Sequence, residues 1–448
     1  MLPNESAIMT NDAPREDLAS AADERRRLID VLMTYTGRTE PAHEAIQALD
    51  DEGLRAFGLD GGYLNLLRLF GRDWPLSRIR ETARAATRDR VWSNAWYRND
   101  LVRVSQALSD VVDPVAERTR LRRFARLQGW RDDPLPALLA EGRGVVIACF
   151  CVSGFKHVPI DLGLLGYTLT QPAVTKGLRE AQEFLSVAPA FFSARWSVVD
   201  VQAKPAAWLT VARALKRGAL VNVNIDGVTR TDSNKAERMW SVVPFAGVRV
   251  RALNSTVRLA GAAGATVLPL LVPRTSVVTH RLMFGSPIRC PAPLSGDELE
   301  GFVQRTMETL YLSLGDYVLA NPAEWAQLCR LHHIRVPDPE PDPAVRERAE
   351  RPDAARTAFM RALADRRGFR LDERRIARTE HAGREAWVDV YTLRAFVVPD
   401  VVKGTFDLLR RGGRVSTDAL GGGAGADNPS TGAAFCAELW LRGALLET

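Results

Sequence analysis

The chain has 448 residues, of which 46% are apolar and 25% charged, with a formal net charge of +6. That length exceeds one ordinary core and predicts two or three units, while the apolar content excludes a disordered chain. The basic balance, with a pI of about 9.2, suits an anionic partner such as a membrane surface, a phosphopantetheine-bearing carrier or nucleic acid, and does not choose among them.

The first stretch, Met1 to Arg27, mixes Asp and Glu among its Arg residues and lacks an apolar centre, so it reads as neither a signal peptide nor a mitochondrial presequence. From Arg25 to about Gln128 apolar residues recur three and four apart, in Leu28–Met33, Tyr63–Phe70 and Leu101–Val112. That spacing predicts a helical N-terminal region over 1–120. Arg118, Arg120, Arg122, Arg123 and Arg126 form a basic stripe, read first as a solvated face and otherwise as an anion-facing or membrane-facing patch.

Over 121–336 the pattern becomes α/β, a mixed or parallel sheet flanked by helices. Buried strands are expected at Val145–Phe150, Ser197–Val201, Ala219–Ile225, Thr266–Val272 and Val278–Phe284. Helices are expected at Gly177–Val187, Ala206–Leu215, Leu253–Ala263 and Glu298–Leu314. The longest apolar runs fall short of the ~20 residues of a spanning helix, so any membrane contact is expected to be peripheral. Alternating proline and acid from Pro337 to Pro343 predicts a stiff linker, with a short helix, over 337–373. Residues 374–448 read as a small α+β domain: a hairpin around His381-Ala382-Gly383, a third strand at Arg394–Val398, and helices at Val401–Leu409 and Ala433–Leu441. Gly421 to Gly425 is a flexible loop, too far from a strand–helix junction to cradle a phosphate.

The segment Cys149 to Tyr167 carries the clearest chemical signal. A buried strand ends, a polar loop holds Ser153, Lys156 and His157, and Pro159 opens a helix bearing Asp161. Acyl transfer needs such a pair: an imidazole takes the proton of an attacking hydroxyl or amine, and a carboxylate fixes its tautomer. Amides at the helix start are the expected oxyanion donors. Lys156 is the competing base, but burial would have to lower its pKa by about three units, so His157 is preferred.

Four ordered features resemble the lysophospholipid acyltransferase-like superfamily, and most closely its lipid A late acyltransferase branch. They are the strand–loop–helix ending Asp161-Leu162-Gly163; Ile225-Asp226-Gly227 with Val243-Pro244-Phe245-Ala246-Gly247; the helix before Gly264-Ala265, leading to Val267-Leu268-Pro269 and Arg274; and Asn321-Pro322-Ala323-Glu324-Trp325. The resemblance covers roughly Arg122 to His333. It implies a glycerolipid-acyltransferase-like fold that moves a fatty acyl group from an acyl carrier protein or coenzyme A thioester to a hydroxyl or amine, with no other cofactor. It further implies that Asp226, Pro244, Phe245 and Gly247 line the acceptor and acyl channel; on spacing alone they read equally as a strand-end turn and a packing loop. Family members place the histidine five positions before the acid, where this chain has Lys156, and His157 stands one step late. The N-terminal membrane helix common in the lipid A branch is not seen either, which weighs against a lipid A acceptor.

Of the lesser candidates, Cys149 and Cys151 read as buried small residues, the five cysteines having no paired spacing; Ser153 lacks a nucleophile elbow; His332 and His333 read as structural. Arg274 is a candidate contact for a donor phosphate. The tail looks like the small winged-helix PqqD-like domains that recognise leader peptides of ribosomally made natural products, which implies a peptide added to an exposed strand edge. Two functions follow as expectations: a cytoplasmic acyltransferase, peripheral at the inner membrane face, acting on a lipid or peptide acceptor; or a non-catalytic scaffold of the same fold that binds an acyl chain or a peptide. Nucleic-acid binding is disfavoured for want of a basic recognition helix.

Overall fold

The computed structural model describes residues 39–109, 127–128, 133–173, 196–201, 207–226, 239–365, 367–381, 384–411 and 429–447. The Arg118–Arg126 stripe, the helix expected at Gly177–Val187, Gly227 and the Gly421–Gly425 loop lie outside them. The described residues divide into two compact units, one holding those of 39–57 and 84–336, the other those of 58–83 and 337–447. Of the region expected to be helical over 1–120, the described residues include the helices Thr39–Gln47, Asp51–Arg55 and Leu59–Phe70. The long helix α1, Leu76–Ser109, runs from one set of residues into the other.

The larger unit is mixed α/β. Its central strand β1, Val145–Cys149, is buried at every position, which is why the sequence there is an unbroken apolar run. Further strands are β2 (Leu169–Ala173), β3 (Trp196–Asp200), β4 (Leu220–Asn224), the hairpin β5 (Trp240–Phe245) and β6 (Val248–Leu253), β7 (Thr266–Leu271), β8 (Arg274–Ser276), β9 (Thr279–Arg281) and β10 (Met283–Phe284). The sheet order is β10-β7-β1-β4-β2-β3, parallel throughout except for β10 against β7. Helix α2 (Val158–Leu164) follows β1; α3 (Ala207–Lys216), α4 (Ser255–Ala263) and α5 (Gly296–Ala320) are amphipathic, with buried residues at helical spacing. Open parallel sheets gather ligands beyond the carboxyl ends of their strands, and the loop leaving β1 stands at that edge.

The segment Val243–Gly247, read on spacing as a packing loop, lies in the β5–β6 hairpin. Its burial alternates, inward at Val243, Phe245, Val248 and Val250, and Pro244 is tolerated because only two strands pair there. Ala246 and Gly247, at φ 47° and 77°, form the two-residue turn, and glycine is the residue for which the second of these carries no steric cost.

In the second unit, Ile376–His381, Arg384–Asp389 and Ala395–Phe396 form an antiparallel meander, and Phe369–Leu371 pairs with Leu445–Glu447. Helices Pro352–Ala364, Lys403–Arg410 and Pro429–Leu441 supply Phe359, Phe406 and Leu439 to a core completed by Phe369 and Trp387. The proline–acid segment is more than a spacer. Asp338 pairs with Arg68 at 2.6 Å, Glu340 and Asp389 together hold the buried Arg375, and Asp342 caps the helix Pro343–Glu350. No helix among the described residues is long and apolar enough to cross a membrane.

Candidate active site

The loop leaving β1 is pinned from three directions by its backbone. Cys151 N–H donates to Asp226 Oδ1 at 2.9 Å, Ser153 N–H to the Glu324 carbonyl at 2.9 Å, and Gly154 N–H to the Val272 carbonyl at 2.9 Å. Phe155–His157 make one 3-10 turn that runs directly into α2, with His157 already in the right-handed helical region at φ −81°. His157 and Asp161, four residues apart along this continuous turn, therefore share a face. The oxyanion donors expected at the helix start are committed elsewhere: the amides of His157 and Val158 bond the carbonyls of Gly154 and Phe155, and Pro159 has no N–H.

Asp161 meets a histidine remote from it in the sequence. Its Oδ2 lies 2.6 Å from Nε2 of His280, a residue 119 positions away on β9. His157, Asp161 and His280 are each between 1% and 3% exposed. The His157 ring is 5.2 Å from that of His280, stacks against Trp96 at 4.0 Å and meets Tyr97 edge-on at 5.6 Å. Lys156, partly exposed, sets its ammonium over the Tyr97 ring at 5.5 Å. A register shift between Thr279 and His280 marks a bulge at this point of β9, a device that re-aims side chains beside functional sites. Room for the imidazole depends on Gly154, where an added Cβ would fall 2.9 Å from the His280 Cβ and from Val272. Gly154→Ala is accordingly expected to displace His280 and to cost about 1–3 kcal/mol, checked by denaturant unfolding.

Beside this group lies an ionic cluster. Asp89, Trp92, Ser93, Trp96 and Tyr97 form one helical stripe on α1. Arg274 donates to Ser93 Oγ at 2.5 Å, pairs with Asp89 Oδ1 at 3.2 Å and lies over the rings of Trp92 and Trp96. Ser153, at the strained φ of 22°, donates its hydroxyl to Asp89 Oδ2 at 3.1 Å, and Tyr317 donates to Glu324 at 2.5 Å. The guanidinium expected to meet a donor phosphate is thus held by Asp89 and Ser93.

Burial pushes the Asp89 carboxyl up to about 6, against the pull of Arg274 and Ser153. The folded protein then binds a proton that the unfolded chain releases near pH 4, so this group favours folding at low pH and loses that contribution as pH rises from about 4 to 6. Wild-type stability relative to Asp89→Asn is expected to fall across that window by up to about 3 kcal/mol, read from unfolding at each pH.

Asp226 is the centre of a second knot. Its Oδ2 accepts from the Trp325 indole N–H at 2.7 Å while Oδ1 takes the Cys151 amide; Trp325 packs on Phe245 at 4.8 Å, and Val152 bridges Trp325. Three of the four motif segments thus converge on one buried contact. Of the residues that the resemblance places on a channel, Phe245 is core, Pro244 and Gly247 are exposed on the hairpin, and Asp226 accepts from the Cys151 amide and the Trp325 indole. Burial raises the Asp226 carboxyl, and burial with that neighbouring acid raises the Cys149 and Cys151 thiols. Neither thiol is an activated nucleophile. His332 is held neutral, its pKa lowered to about 3 by burial.

Sequence reasoning missed His280, Trp96 and Asp89. The α1 stripe was legible as a helical face; His280, a single histidine in an expected strand, carried no signal beyond core packing. Among the described residues, no group of His, Cys, Asp and Glu is arranged to hold a metal. No protein-family model matches the chain, and no curated protein matches it.

Proposed function

We propose that the protein is an acyltransferase that moves a fatty acyl group from an acyl carrier protein or coenzyme A thioester to a hydroxyl or amine of a lipid or a peptide natural product. The observation that carries this reading is the buried 2.6 Å imidazole–carboxylate pair of His280 and Asp161 at the carboxyl end of the central strand. An imidazole held in this way removes the acceptor proton as the new bond to the thioester carbonyl forms; the C–S bond then breaks and the imidazolium returns the proton to the departing thiolate. The convergence of Cys151, Asp226, Phe245 and Trp325 supports the superfamily resemblance from which the substrate class is taken. The reading extends to a cytoplasmic protein that reaches lipid peripherally, with the PqqD-like unit binding a peptide at a strand edge.

A second reading, the non-catalytic scaffold, is favoured by one observation: all three candidate groups are buried, with Trp96 against both imidazoles. The test is multiple-turnover thiol release by the purified protein over saturated acyl-CoA and acyl carrier protein donors of increasing chain length. Release above the uncatalysed rate with at least one donor is expected. Tight donor binding without release across the series supports the scaffold instead.

A further inference from the structure

We infer that the general base is His280, with His157 flanking it. This rests on the acyl-transfer reading above and deepens it. A base in acyl transfer needs one ring nitrogen held by a carboxylate and the other not engaged by the protein. His280 meets both conditions. Its Nε2 is held by Asp161 at 2.6 Å, and its buried Nδ1 has no hydrogen-bond partner among the described residues. The Asp161 carboxylate fixes the proton on Nε2, and the lone pair then resides on Nδ1.

Two further features make space for this ring. The β9–β8 register shifts at Thr279/His280, and Gly154 leaves the gap that any side chain would close. Trp96 packs against both imidazoles, and the His157 ring also meets Tyr97 edge-on. The titratable groups facing His280 from the turn and α2 are His157 and Asp161. Arg274 on the paired strand β8 reaches Trp96 and Asp89 on α1, and Lys156 lies against Tyr97. In the reaction the acceptor proton moves to Nδ1 of His280 as the acceptor atom bonds the thioester carbon. The thiolate leaves with the C–S electron pair and recovers that proton from the imidazolium, so no other reactant is needed.

The experiment measures thiol release from palmitoyl-CoA, and from donors of other chain lengths, to water and to an added alkyl alcohol or alkyl amine as acceptor, against pH for the full chain and for His280→Gln and His157→Gln. Circular dichroism and thermal melting accompany each variant. His280→Gln is expected to lower kcat/KM by about a hundredfold or more and to abolish the limb that rises with pH. His157→Gln is expected to lose less than tenfold and to keep that limb. A rising limb that persists in His280→Gln overturns the inference, and so does one lost in His157→Gln, which stands even if the first variant does not fold. A wild-type protein inert towards every donor overturns the acyl-transfer reading itself, and the inference with it.

Discussion

Asp161→Asn is expected to lower kcat/KM for thiol release by about 10²–10⁴-fold while leaving the protein folded. The asparagine has nearly the same shape and still offers an oxygen to Nε2 of His280, now 2.6 Å from the carboxylate. It brings no charge to balance the imidazolium formed as the acceptor loses its proton. It also offers an N–H that favours the opposite tautomer, with the lone pair on the wrong nitrogen. The loss belongs to the transition state, so kcat is expected to fall much more than KM rises. In the ground state one charge-assisted hydrogen bond becomes a neutral one, a change of about 1–2 kcal/mol in unfolding free energy. Steady-state kinetics with a thermal melt on the same sample separate the two effects.

The largest stability effect is expected at Asp226. Asp226→Ala removes the acceptor of both the Cys151 amide and the Trp325 indole, two buried donors. At about 1–3 kcal/mol for each stranded donor, the expected cost is about 3–5 kcal/mol, measured by chemical denaturation. Trp325→Phe removes only one donor and keeps most of the packing against Phe245, so it is expected to cost less. The double variant should fall short of the sum of the singles, because the two residues share one hydrogen bond.

The sheet was legible where strands are buried on both faces. β1 and β7 are short apolar runs, buried at all or nearly all of their positions, and β4 is buried over its first three residues. β2 was missed because Leu169–Ala173 contains Thr, Gln and Pro, and its place beside β4 and β3 is a tertiary choice. The hairpin β5–β6 carried a readable alternation, Val248-Arg249-Val250-Arg251-Ala252, which Pro244 obscured. The proline–acid segment was read by its stiffness alone; what fixes it is the charge on Arg68 and Arg375, both remote in sequence.

At the site, the loop, Asp161 and the helix that carries it were all visible, because strand, polar loop and Pro159 are local signals. The identity of the histidine on the carboxylate was not. A carboxylate in the first turn of α2 is within reach of whatever β9 brings alongside, and the pairing of β9 with β8, with its bulge, has no short-range signature. His157 stands one step from the position that the resemblance implies, and the sequence carried no sign of His280 beyond that displacement.

Whether this buried pair performs chemistry is tested most directly by mixing the wild-type protein in excess with one equivalent of acyl thioester and following free thiol with time. First-order appearance of one thiol per donor, with the acyl group recovered on water, a hydroxyl or an amine, is the expected result. Recovery of intact thioester from a tight complex with the folded protein would contradict it.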